Sequence, residues 1–204
     1  SPEELNKWLQ HPSEDWYDQL LTHLMESPHY GERWGRHWLD AAGYADSEGY
    51  TTADAPRSWA WKYRDWVVQA LNHDKPFDQF ITEQLAGDEL AGPIQGDLTE
   101  QQIALLTATG FLRMAADGTG SGADTAEARN QVMADTLKIV GTSLLGMTFQ
   151  CAQCHDHRYD PLPQTDYFAL RAVFEPALDW QAWKPPAARQ ISLYTAADRE
   201  QAAA

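Results

Sequence analysis

The chain has 204 residues, 43% of them hydrophobic and 22% charged, which fits one large globular domain with a real core better than two small ones. With 30 Asp and Glu against 15 Lys and Arg, the formal net charge is −15, so the surface repels nucleic-acid phosphates and anionic membranes, and nucleic acid is not an expected partner. The 9 Trp, 8 Tyr and 6 Phe exclude a disordered polyanion. No run of 18 apolar residues occurs, so no transmembrane segment is expected, and Ser1 to Leu9 lack the basic and apolar regions of a secretory signal. The expectation is a soluble chain, a processed or cut-out piece of a larger protein.

Taken in order, Ser13 precedes an acidic turn (Glu14, Asp15), and Trp16, Leu20 and Leu24 recur at helical spacing up to Ser27-Pro28. From Gly31 to Ala42, Trp34, Trp38 and Ala41 fall at i, i+4 and i+7 with His37 on the same stripe, so His37 is expected to point inward. Asp46-Ser-Glu-Gly-Tyr50 reads as a turn, and Trp59, Tyr63, Trp66, Val67 and Ala70 predict a helix that Lys75-Pro76 terminates. Phe77, Phe80, Ile81, Gln84 and Leu85 suggest a short helix before Gly87-Asp88. Thr99 and Gln102 form a capping-box pattern opening Ile103 to Gly110. The glycine-rich stretch at 117–124, Asp117 to Asp124, predicts a flexible loop. Beyond it, Val132, Thr136, Ile139, Val140, Ser143 and Leu144 mark a long helix leading to Cys151, and Thr165 to Phe174 a last one before a proline-broken tail. Only Gln190 to Tyr194 alternates in the manner of a strand, so the expected fold is all-α: a single helical domain over 1–204 with long loops.

The pentapeptide Cys151-Ala-Gln-Cys154-His155 holds the entire thiol inventory. Two thiols two residues apart can add to the two vinyl groups of haem, and a histidine directly after the second can ligate the iron, so the helical domain is expected to place its long loops around a covalently attached haem. The rival readings are a structural disulfide or thioredoxin-like pair, which lacks the usual βαβ context, and zinc held by Cys151, Cys154, His155 and His157, strained for donors so close in sequence unless a distant fourth ligand replaces one of them. A chance match is a further one.

Ser27 to Asp40, Tyr44 to Ser47, Trp61 to Trp66, Gln84 to Asp88 and Cys151 to Pro161 together resemble a cytochrome-associated domain of planctomycetes and verrucomicrobia, over about residues 14 to 175. That family is a domain of unknown function found within larger secreted or envelope proteins. The resemblance implies export to the periplasm or cell envelope and one covalent haem c, but no established reaction. Its long motif, Cys-x-x-Cys-His-Asp-His-x-x-Asp-Pro, also implies local work for Asp156, His157 and Asp160 beyond attachment.

With haem, His155 is the proximal ligand by adjacency, and His37, between Trp34 and Trp38 as a dry haem wall, is the first candidate for the sixth position. Met147 is too close in sequence to reach the opposite face, Met114 or Met133 could reach it from elsewhere although core filling is the expected role of each methionine, and His11, His23, His29 and His73 rank last. His157 and Arg158 are candidates for haem propionates, with His157 alternatively holding Asp160. Asp46, Glu48 and Asp54 read as a solvated acidic turn, since their spacing does not match a calcium loop. No Gly-x-Ser-x-Gly, Walker or dinucleotide pattern occurs. The leading function is electron transfer through one covalent haem to a redox partner with a basic face or to neighbouring domains. The alternatives are a haem- or metal-dependent oxidative enzyme and a structural zinc or disulfide module.

Overall fold

A computed structural model describes residues 1–10, 13–49, 54–121 and 124–203. Among these the chain is all-α: α1 (Pro2–Gln10), α2 (Trp16–Met25), α3 (His29–Ala42), α4 (Ala60–Asn72), α5 (Phe77–Ala91), α6 (Glu100–Ala108), α7 (Ala126–Val140), α8 (Gln164–Leu178) and α9 (Ala196–Ala203). The described residues contain no strand, only one bridge between Ser47 and Pro56, and Gln190 to Tyr194 is irregular. No described helix is long and apolar enough to cross a membrane.

The main core forms where α3 meets α4 and α5 meets α6, and glycines set both contacts. A Cβ at Gly31 would lie 2.3 Å from the Val68 carbonyl oxygen, and one at Gly87 2.2 Å from that of Leu105. Small residues therefore choose the buried face. In α3 that face is Gly31, Gly35 and Ala42, flanked by half-buried Trp38 and Leu39, which rotates the helix away from the predicted stripe and leaves Trp34, His37 and Ala41 exposed. The inward orientation expected for His37 is thereby corrected. Gly87, expected to end a short helix, instead lies inside α5, which kinks at Ala86 and continues to Ala91. Asn72 fastens α3 from α4, since its Oδ1 accepts from the Gly31 N–H at 2.7 Å and its Nδ2 donates to the Pro28 carbonyl at 2.9 Å. The Thr99–Gln102 capping box forms in both directions.

Trp38, Tyr63, Trp66, Phe80 and Phe111 fill this core, each worth about 2 kcal/mol in burial. The Trp38 Nε1–H is shared between the Tyr63 hydroxyl (3.0 Å) and Gln84 Oε1 (3.1 Å), and the Tyr63 hydroxyl donates to the same Gln84 oxygen at 2.6 Å. Burial pushes the Tyr63 phenol well above its ordinary value of 10, only partly offset by the Trp38 N–H. A folded value above the unfolded one makes the neutral phenol stabilising below pH about 10, and this stabilisation is lost as pH rises further. Tyr63→Phe is therefore expected to cost about 1 kcal/mol at pH 8 through the lost hydrogen bond. It should also remove about 1 kcal/mol of alkaline sensitivity by pH 11, as read by urea midpoints at the two pH values.

Two smaller clusters extend from this core: Val132, Met133, Leu178 and Trp183 in one, and Leu137, Phe149, Ala152 and Tyr167 in the other. Phe174 of α8 packs against all three clusters. Residues 117–119 are buried, which corrects the first part of the flexible loop expected at 117–124, while 122–123 lie outside the described residues. α1 and α2 bury nothing, so the stripe of Trp16 and Leu24 faces outward. His23 of α2 reaches back to Glu4 and to the Trp8 ring.

Candidate functional site

The cysteine segment is positioned by the end of α7. That helix continues as a π turn over Gly141–Leu145 and stops at Gly146, whose φ of +63° suits glycine. The chain then doubles back, the Met147 N–H donating to the Gly141 carbonyl at 3.1 Å, and the buried Phe149 ring occupies the space where a side chain on Gly141 would sit.

A 3-10 turn over Gln150–Gln153 follows, anchored by Ala152, which is fully buried with Leu137, Phe149 and Tyr167. In a three-residue repeat, side chains at i and i+3 eclipse, so with Ala152 inward Cys151 and Cys154 both face out, as exposed free thiols. The Cys154 and His155 N–H groups both donate to the Cys151 carbonyl at 3.3 Å, closing the turn. His155 is exposed, and its Nδ1 lies 2.8 Å from the Asp156 carbonyl oxygen. A carbonyl only accepts, so Nδ1 carries the hydrogen, and the lone pair of Nε2 is left for a ligand.

The rest of the motif braces this turn. The Asp156 carboxylate accepts from the Gln164 N–H at 2.8 Å, capping α8, which has no side-chain cap of its own, and Gln164 Nε2 donates to the Gln153 carbonyl at 3.0 Å. His157 turns inward, its side chain 6% exposed, and its Nδ1 accepts from the Asp160 N–H at 2.9 Å. That nitrogen also lies 3.2 Å from the Asp160 carboxylate, but it cannot accept and donate at once, and the shorter backbone bond assigns it as the acceptor. Backbone bonds from His157 N–H to the Leu162 carbonyl (2.8 Å) and from Leu162 N–H to that of Asp160 (2.7 Å) complete the loop. Asp156→Ala is expected to cost about 1 kcal/mol through the lost cap, read as a lower urea midpoint.

Of the other expected site residues, Arg158 is exposed, its guanidinium 5.7 Å from the Tyr159 ring. Trp34 is 53% exposed, and Trp38 belongs to the main core cluster, a different one from that of Ala152. Neither forms a wall beside the cysteines. His37 contacts Arg33 (3.3 Å) and the Trp34 ring (5.5 Å) on the outer face of α3, so it loses the support that periodicity gave it as an axial ligand. Met114 and Met133 are core residues. Glu48 corrects the solvated acidic turn, since it pairs with Arg57 at 2.7 Å while only 14% exposed. His11 lies outside the described residues. For zinc, no group of three His, Cys, Asp or Glu among the described residues converges as a metal site.

Sequence reasoning missed Tyr167. It is buried beside Ala152, its hydroxyl has no hydrogen-bond partner, and burial raises its phenol above the ordinary value. Arg171 lies close enough to oppose that shift without forming a bond of acceptable geometry. Gly141 and Phe149 were missed as well, because their pairing is a contact between distant turns. Two hollows of about 430 and 240 Å³ border α5, the larger lined by Leu90, Gln95, Asp97, Gln102 and Leu105, and neither borders the cysteines.

Residues 1–178 match a family model, PSCyt2, described as a protein of unknown function (DUF1549). No curated protein and no solved structure matches the chain. The packed core runs past the matched span, since Trp183 is buried against Val132, Met133 and Leu178.

Proposed function

We propose that this chain, which belongs to the PSCyt2 family, a planctomycete cytochrome-associated domain of unknown function, is a c-type haem domain that carries electrons. The observation that carries the reading is the turn at 151–155. Two free thiols face outward together from one 3-10 turn, and the adjacent histidine has Nδ1 tied to a carbonyl. This donor set fits a covalent haem c better than it fits zinc, which wants convergent donors.

Bound there, haem would supply a one-electron iron couple. The chain's own part is to hold the turn rigid through Ala152 and Gln153, to orient His155 through Asp156, and to offer Cys151 and Cys154 for thioether bonds. Exposed Leu145, Tyr159 and Phe168 on the flanking segments are apolar surface suited to the macrocycle's face. Covalent attachment of this kind implies export, so the proposed location is the periplasm or cell envelope. The net charge of −15 favours a redox partner with a basic face.

The test is a pyridine haemochrome spectrum of natively exported protein after acid-acetone extraction. A retained c-type band is expected, and a colourless chain would overturn the reading. With His37 on the outer face of α3, His37→Ala is expected to leave the visible spectrum unchanged. A shift to high spin would restore it as the sixth ligand.

A further inference from the structure

Outside the cysteine segment, the first two helices carry an apolar surface that no described part of the chain covers. Neither α1 nor α2 contains a buried residue. On α2, Tyr17, Leu21, Leu24 and Met25 are all exposed, and their spacing of i, i+4, i+7 and i+8 aligns them in one stripe. Leu5 and Leu9 of α1, at i and i+4, are more than half exposed as well. The helices meet through His23, which pairs with Glu4 and lies against the Trp8 ring. Among the described residues, the side-chain hydrogen bonds of the two helices stay within this N-terminal segment.

Helices of 9 and 10 residues are marginal in water unless an apolar face is covered, and a contiguous stripe differs from the single apolar residues scattered over a monomer surface. The charge around the stripe has one sign. Glu14 and Asp15 stand at its N-terminal end, Asp18 borders Leu21 and Met25 at i+3 and i+7, and Glu26 closes it as the C-cap. All four acids are exposed, none forms an ion pair with a described residue, and 13–27 contains no Lys or Arg. Glu26 stands at the negative end of the helix dipole, where a cation from outside is favourable.

This charge pattern selects among occupants. A second copy would set the same carboxylates against one another. An anionic membrane would repel them, since a helix that lies on such a surface carries Lys and Arg on its polar face. An apolar strip flanked by cations complements both the stripe and its rim, and a helix is the element that packs against helices in this way.

We propose that α1 and α2 are a docking surface for a basic amphipathic helix of a partner protein. Its apolar side sits on the stripe of Tyr17, Leu21, Leu24 and Met25, and its Lys or Arg side chains meet Asp18 and Glu26. The surface shares no residue with the cysteine turn, so it stands whether or not haem is bound.

The test titrates the full chain calorimetrically with a synthetic peptide carrying leucine at i, i+3, i+4 and i+7 and lysine elsewhere. Saturable binding of a single peptide per chain is expected, weakening as salt rises. A peptide of the same composition in scrambled order has no apolar face, and one with glutamate in place of lysine has no cations. If either binds as tightly as the first, charge alone or apolar contact alone is responsible and the proposal is overturned. Tyr17→Ser combined with Leu24→Ser is expected to weaken binding about tenfold or more. Both side chains are exposed, so the variant keeps its fold. Asp18→Asn combined with Glu26→Gln is expected to weaken binding about threefold at low salt, as two exposed ion pairs would. Tyr194→Ser, at an exposed apolar residue far along the chain, should bind as the unmodified chain does. Undiminished binding by the Tyr17 and Leu24 variant places the peptide elsewhere and overturns the site. Sedimentation and flotation with phosphatidylglycerol vesicles address the other occupants, and a monomer that stays off vesicles is expected. A dimer or a vesicle-bound form that the same variant abolishes would assign the stripe to a second copy or to a membrane and overturn the proposal.

Discussion

Replacing both Cys151 and Cys154 by serine is expected to abolish acid-acetone-resistant haem completely, whereas either single change should leave haem attached through one thioether. The difference follows from the chemistry of attachment: each thiol forms one bond to one vinyl group, so one survivor is enough to hold the macrocycle through extraction. Because both cysteines stand on the outer side of the turn and neither packs in the core, the serine pair should leave stability unchanged within about 0.5 kcal/mol. His155→Ala provides the contrast. It should keep covalent haem while altering the visible spectrum, since attachment and ligation fall on different residues. Coloured double-serine protein after extraction would refute thioether attachment, and a destabilised, colourless one would point to a structural role for the thiols.

How much of this was legible in the sequence depended on the range of the interaction involved. The Thr99–Gln102 cap and the buried face of α4 rest on neighbours within a turn or two, and the residue pattern records them directly. The pentapeptide was legible for the same reason. The α3 face was misread because periodicity counts large apolar residues as inward, while the packing of α3 on α4 is decided by where two backbones can touch, at Gly31, with Gly35 one turn on meeting the side chains of Val67, Val68 and Leu71. The turn around His37 follows from that contact, and a single chain contains no local trace of it. The same holds for Asp117. Within a stretch of glycines it reads as solvent-facing, yet Arg189, more than seventy positions later, draws it inside through an ion pair at 2.6 Å.

Gly141→Ala is the change whose sign separates the two levels of reading. Gly141 has ordinary right-handed helical angles, φ −63° and ψ −48°, so propensity alone predicts that alanine would stabilise the chain by about 1 kcal/mol. The contact argues the reverse. A Cβ there would lie 2.1 Å and 2.5 Å from two carbons of the Phe149 ring and 3.1 Å from the Met147 carbonyl oxygen. That ring is 5% exposed and packed in the cluster of Leu137, Ala152 and Tyr167, so it has no free volume to retreat into. Overpacking of this kind costs about 3 kcal/mol, and the expected net loss is about 2 kcal/mol once the propensity gain is subtracted. Because Phe149 stands two residues before Cys151, the strain should also displace the turn that presents the thiols and lower the yield of covalent haem. Phe149→Leu, which trims the ring, is expected to cost stability alone yet to recover part of the loss in combination with Gly141→Ala. A coupling of about 1 kcal/mol or more in that double-mutant cycle is the expected result. Strict additivity of the two changes would mean that the ring and the glycine do not share the space the structure assigns to them.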